Sequence, residues 1–598
     1  ATLSNTVVSS NTFQSTFYLY GGGALVDAGS ILTLTNSRVE RHFAADASDG
    51  RGAGLYVRDA AVLLDNSQII SNTAGAVGGG VRLYGGTLTV TNGSALINNQ
   101  ALNSVGGAIA STYDIGTPAI NISNATLQAN TAALDGGAIY LDAGKLNFNG
   151  WWDVQSNHAA GNGGAIAVAG TGDATFYVTN GAQQTYLATN RADGNGGALY
   201  VTNGAYVELY STGGYALNLK TNRAGGNGGA AYANSGATFD FYGLDNATGN
   251  QATGNGGVFY LSGNSRVWLD DYFTTRPQIW SNQAQNGGVV YAQSGSLITC
   301  DGTDVGTNVD GNDATAGSGG AFYLSGSTLT ANNCVYRGNQ ATLNGGAIAG
   351  YTSTLLIDTD YPALTISAPL AVDRIDPTGP LATACNPLVQ RCSNLYSNIA
   401  DSDTNSSGNG GAIYANGSSL TVNYSFLHRN SAYRGGAIYQ EGAGAVGQIN
   451  NTLVYSNTST GSMGGGIRTE AGVFTMTHVT LANSPIGAGY SIAGGSGYAR
   501  NSIAWGNANG GFWLASGALT GTCNIDQSSI VGANIDPMFV AAGSGENYHL
   551  QSSSPAVDAC ATGLPRDLDN KVRPFNTLYD MGAYELYIYR IYLPLIMK

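Results

Sequence analysis

Apolar residues in this chain come in short alternating runs such as Leu88-x-Val90 and Leu146-x-Phe148, bounded by Gly, Asn and Thr. A period of two predicts strands, and helical spacing is nowhere sustained. A Gly-Gly-Ala-Ile-Tyr-like pentapeptide punctuates the runs fifteen times, beginning at Gly22, Gly52, Gly78, Gly106, Gly136, Gly163, Gly196, Gly228, Gly256, Gly287, Gly319, Gly345, Gly410, Gly435 and Gly464. The intervals are 25 to 33 residues, apart from one of 65 between Gly345 and Gly410. The fourth position is apolar in every copy (Leu25, Leu55, Val81, Ile109, Ile139), which predicts that it points inward and the fifth outward.

A second signal fixes the phase. An apolar residue, two variable ones and Asn precede most pentapeptides, as in Leu127-x-x-Asn130, Val154-x-x-Asn157, Leu187-x-x-Asn190, Leu219-x-x-Asn222, Ile279-x-x-Asn282, Leu395-x-x-Asn398, Leu427-x-x-Asn430 and Val454-x-x-Asn457. A unit of this length cannot bury its own apolar face and must stack on copies of itself. The prediction is an all-β fold, a right-handed parallel β-helix of roughly 18–20 coils with three short strands per coil. Stacked coils would align the Asn side chains in a ladder of amides. Glycine, 88 of 598 residues, is about twice its usual ~7% share and suits bends with positive φ.

Position five is Tyr in nine copies, among them Tyr140, Tyr200, Tyr232, Tyr260, Tyr291 and Tyr323. Facing outward, these rings would form a stripe along the axis. Stacking between neighbouring strands would stabilise the sheet, and a protein contact or glycan binding are the functional alternatives.

Six cysteines fall into three expected pairs. Cys300 and Cys334 lie at similar phases of adjacent repeats, Cys385 and Cys392 share a loop, and Cys523 and Cys560 would tie the last coil to the C-terminal segment. Paired cysteines predict an oxidising compartment. The long interval marks an insertion at about 351–393, which carries Pro362, Pro369, Pro377, Pro380 and Pro387. Proline lacks the ladder N–H, so this stretch reads as a projecting loop or lobe. Net charge is −14 with four lysines, which argues against nucleic acid and anionic membranes as partners. No run approaches the ~18 apolar residues of a membrane span. Opening at Ala1 in repeat phase is what removal of an export leader would leave.

Over residues 1–522 the paired motifs resemble the polymorphic outer-membrane protein repeats of bacterial surface adhesins, although Phe at the first motif position is mostly Leu, Ile or Val. That resemblance implies a β-helix and a surface location. Residues 523–585 are similar to the choice-of-anchor Q module that closes secreted bacterial β-helix proteins, on Asp536-Pro537-Met538-Phe539-Val540, Ser554-Pro555-Ala556-Val557-Asp558, Asp567-Leu568-Asp569, Arg573-Pro574 and Asp580-Met581-Gly582-Ala583-Tyr584-Glu585. It implies export and an anchoring step without chemistry. Residues 586–598 form an apolar, strand-like tail, in which Ile588, Ile591, Tyr592, Leu593, Leu595 and Ile596 suit an assembly contact.

Parallel β-helices also host polysaccharide lyases and hydrolases, which need a base beside carboxylates or paired carboxylates on one face. Here the lysines are scattered and His42, His158, His428, His478 and His549 share no repeat phase. Asp301, Asp304, Asp310 and Asp313 cluster in sequence and offer oxygen ligands for weak Ca²⁺ binding; otherwise no cofactor is implied. The expectation is an exported, non-enzymatic surface protein of adhesin type, joined end to end with itself or anchored singly to bind glycan or protein. A carbohydrate-active enzyme is the alternative.

Overall fold

The computed structural model describes the chain apart from residues 14–18, 47, 113–116, 179–184, 212–216, 243, 271–276, 308–309, 360–391 and 588–598. It is all-β, a parallel β-solenoid with one antiparallel pair, Phe539–Ala541 with Asn547–Leu550, beyond the coil. One turn shows the plan. The pentapeptide strand Leu199–Val201 is followed by Tyr206–Ser211, then by Leu217–Lys220, and beyond a bend at Thr221-Asn222 by the two-residue strand Arg223–Ala224. Each pairs in register with its equivalent one turn on: Leu199 with Ala231, Val207 with Phe239, Leu219 with Ala247, Arg223 with Gln251. Among the described residues there are 15 of the short strands, one per turn, from Thr12–Phe13 to Thr458–Met463. Later turns at Tyr490–Ile492 and Phe512–Leu514 lack it.

Strand alternation decides the core. Leu199 and Val201 are fully buried and Tyr200 between them is half-exposed; Ile139 and Ile166 are likewise at 0% exposure. Aromatic residues join this core, with Phe148 stacked on Phe176 at 4.7 Å and Trp152 tilted against both. The first pentapeptide corrects the sequence phase. Ala24 pairs with Leu55 and Leu25 with Tyr56, so this copy starts at Gly21, and Leu25 points outward at 52% exposure.

The pentapeptide glycines have two different jobs. Gly136 takes φ +69°, a left-handed bend that an L side chain resists. A Cβ on Gly137 would run into the Gly164 carbonyl oxygen of the next turn, so the second glycine is required by close stacking.

The chain divides into two compact units. One comprises Ala1–Thr330, Tyr336–Thr342 and Ala347–Ala349; the other Ala331–Val335, Leu343–Gly346 and Gly350–Lys598. In the second, Thr354 pairs with Ser419 and Ser393 with Ser425, so both ends of the expected 351–393 insertion are coil strands. The interruption narrows to 360–391, where all five of its prolines and Cys385 lie outside the described residues. The last coil strand is Ile525–Asp526, paired with Ile503–Ala504. The segment beyond it, through Tyr587, packs as part of the second unit.

Candidate functional site

Three rows of side chains follow from the register. Asparagine makes the innermost. Asn157 is fully buried; its Oδ1 accepts from the backbone N–H and the amide of Asn130, both at 3.0 Å. Its Nδ2 donates to Asn190 Oδ1 at 3.1 Å and to the Leu127 carbonyl at 3.0 Å. The same pattern runs through Asn72, Asn99, Asn130, Asn190, Asn222, Asn250, Asn282 and Asn312 in the first unit and Asn398 and Asn430 in the second. His42 takes the place of Asn on one rung of this ladder. Its Nε2 lies 3.0 Å from the Val8 carbonyl and its backbone N–H donates to Asn72 Oδ1.

Tyrosine makes the second row. Tyr200, Tyr232, Tyr260, Tyr291 and Tyr323 stack face to face with centroids 4.7 to 5.2 Å apart, the last four within 3° of parallel. Each interior ring therefore has both faces covered by its neighbours, leaving only edges to solvent. Burial pushes the Tyr260 hydroxyl up to about 12. Tyr140 is outside the stack, because Ala110 and Ala167 flank it in register. A stripe that could stack on sugars is thus largely occupied by itself.

The third row lies on the short-strand face of the first unit. The variable residue between Asn and Ala brings together His158, Arg191, Arg223, Gln251 and Gln283 on successive turns. Arg191, Arg223, Gln251 and Gln283 line a groove of about 600 Å³ together with Asp193, Thr253 and Thr315. Arg191 donates to Asp193 at 2.8 Å, while Arg223 is exposed and has no ion-pair partner among the described residues. Sequence reading passed over this row. Its signal was the identity of the x in Asn-x-Ala, which gains meaning only when the turns are stacked.

The acidic residues named for Ca²⁺ are spread. Asp304 accepts from Gln278 and lies 3.6 Å from Arg337, whereas Asp313 joins the short-strand face between Gln283 and Gln340. The Asp310 backbone N–H donates to the Thr307 hydroxyl at 2.8 Å, within a local turn. Among the described residues no three His, Cys, Asp or Glu side chains converge as a metal site requires.

Cys523 and Cys560 form a disulfide with Cα atoms 5.8 Å apart. Cys300, Cys334 and Cys392 are disulfide-bonded too, and no described cysteine is free. Beyond Cys523 the motif residues build a buried polar knot. The Arg573 guanidinium is fully enclosed, donating to the Gly582 carbonyl at 2.9 Å and to His478 Nδ1, with Glu585 at 3.5 Å. Asp567 accepts the Glu585 and Lys571 N–H groups, and Glu585 those of Phe575 and Asp580. Burial and the Arg573 charge hold His478 neutral, down to about 2. This region is fastened along the side of the coil: Gly582 N–H donates to the Asn501 carbonyl, Ala583 N–H to Thr480, and Tyr548, Phe539 and Leu550 share a core with Tyr455, Ile503 and Leu453. Tail residues Ile588, Ile591, Tyr592, Leu593, Leu595 and Ile596 lie outside the described residues.

The fold is that of the β-solenoid proteins. No protein-family model matches the chain, and no curated protein is significantly similar to it. Among the described residues no helix is long and apolar enough to cross a membrane.

Proposed function

We propose that this protein works outside a bacterial cell as a non-enzymatic surface element of adhesin type, a rigid β-helix that displays rows of side chains and is closed by a laterally docked C-terminal module. The observation that carries the reading is the cysteine chemistry: the Cys523–Cys560 disulfide, with the other described cysteines also bonded, is stable in an oxidising compartment and rare in a reducing one. The ladders support a scaffold role, since each turn is braced by the next through buried amides and stacked rings. The test is protease shaving and antibody labelling of intact cells, with thiol mapping of the recovered protein. Labelled, fully oxidised protein is expected; a cytoplasmic pool with reduced thiols would overturn the proposal.

Two finer points go with it. End-to-end assembly through residues 586–598 rests on their apolar sequence, and deleting them should abolish growth in light scattering; unchanged assembly would remove the tail from the joint. Release of reducing or unsaturated ends from a polysaccharide panel would replace the adhesive reading with the enzymatic alternative.

A further inference from the structure

The short-strand face differs from the other two rows in one physical respect: its side chains do not satisfy one another. Asn bonds to Asn and Tyr stacks on Tyr. Arg191 and Arg223, by contrast, sit directly side by side on adjacent parallel strands, about 4.8 Å apart at the backbone, where like charges repel. Asp193 offsets one guanidinium; the other has no carboxylate among the described residues. Gln251 and Gln283 follow in register, and neither side chain is hydrogen-bonded within the described structure. In a chain of net charge −14, two adjacent arginines with one acid between them are a local reversal of sign.

We propose that this groove binds a stretch of an acidic, uronate-bearing polysaccharide lying along the coil axis, with Arg223 and Arg191 holding sugar carboxylates and Gln251, Gln283 and Thr315 hydrogen-bonding the hydroxyls of the next sugars. The assignment rests on the surface-adhesin reading and gives it a ligand class. Planar carboxylates match guanidinium in a two-pronged contact. The rungs repeat at about 4.8 Å, close to the length of one pyranose ring in an extended chain, so successive sugars meet successive rows. The volume, about 600 Å³, lies in the range of small-ligand sites. A peptide fits worse. The groove floor cannot accept a strand, because its N–H groups are already bonded turn to turn (Arg223 N–H to the Asn190 carbonyl, Gln251 N–H to the Asn222 carbonyl, both 2.9 Å). Alanine supplies the apolar part of the lining, which leaves no deep pocket for side-chain anchors.

The experiment is titration calorimetry of the full chain with hexagalacturonate, with maltohexaose as a neutral probe and a glutamate hexapeptide as an acidic peptide probe. Saturable binding of hexagalacturonate is expected, weakened by added salt. Arg223→Gln should weaken it about tenfold or more, the loss of a charge-assisted contact, and Gln283→Ala less. Both side chains are exposed, so unchanged melting of the variants confirms that the fold is intact. Lack of hexagalacturonate binding, equal binding by Arg223→Gln, or equal affinity for maltohexaose or the hexapeptide would each overturn the proposal. Failure here with successful surface labelling would remove the ligand class and leave the surface role standing; failure of labelling with binding intact would do the reverse.

Discussion

The imidazole of His428 lies flat on the ring of Tyr455, with centroids 4.7 Å apart and planes 8° from parallel. Tyr396 covers its other face at 4.9 Å. The residue is 1% exposed, and burial, helped by the Arg429 charge, depresses its pKa to about 3. His478, beside Arg573, falls to about 2 for the same first cause.

These two histidines give the fold an acid dependence. The unfolded chain takes up their protons as pH drops through about 6.5, whereas the folded chain keeps them neutral to about 3. Stability is therefore full above 6.5 and is lost progressively below it. Asp567, raised to about 6 mainly by burial, works the other way: the fold takes its proton first, which restores some stability as pH falls from about 6 to 4. Melting temperature measured from pH 7 to 4 should decline overall. His428→Phe should flatten that decline, since His428 Nδ1 has no hydrogen-bond partner to lose. A variant with the same slope as the parent would assign the dependence elsewhere.

Removing one ladder rung should be costly out of proportion to its size. Asn157→Ala leaves the buried Asn130 backbone N–H and amide without their acceptor, a loss of about 2–5 kcal/mol for several unpaired polar groups. Asn157→Asp keeps the acceptor oxygens but buries a charge, so it should be worse than Ala at pH 7 and recover as pH falls towards 4. Urea denaturation at the two pH values checks both orderings.

The two faces of the pentapeptide strand should respond very differently to substitution. Ile139→Asp places an unpaired carboxylate in the core, at several kcal/mol. Tyr140→Ser removes a half-exposed ring flanked by Ala110 and Ala167, at about 1 kcal/mol. Equal melting temperatures would mean that the strand faces are reversed.

Arg573→Leu should release the C-terminal module without dissolving the coil. It strips the fully buried Asp567 and Glu585 of their cation, a loss of about 3–5 kcal/mol. Hydrogen exchange should show residues around Phe539–Ala541 and Asn547–Leu550 losing protection, while the coil strand Ile413–Asn416 keeps it. Simultaneous loss in both would show the module and coil to be one cooperative unit.

The local pattern alone was enough to identify the solenoid. Inward residues such as Ile139 and bends such as Asn157 are written into every repeat by short-range rules: alternation, a glycine bend, an amide that needs its own copy above and below. The one phase error, at Gly22, came from a run of three glycines that offers two equally good starts. What sequence could not supply is whatever depends on which residues meet across turns. The repeat leaves Tyr260 open to stacking between strands or to an outward contact, and only the register shows its faces covered by Tyr232 and Tyr291. Arg191 and Arg223 are 32 residues apart in sequence and adjacent on neighbouring strands. His478 and Arg573 touch across 95 residues. Periodicity carries the period and the inside–outside sense because each repeat expresses them by itself. Repeat length varies from 25 to 33 residues, so the partner of any variable position is set only when the strands hydrogen-bond in register.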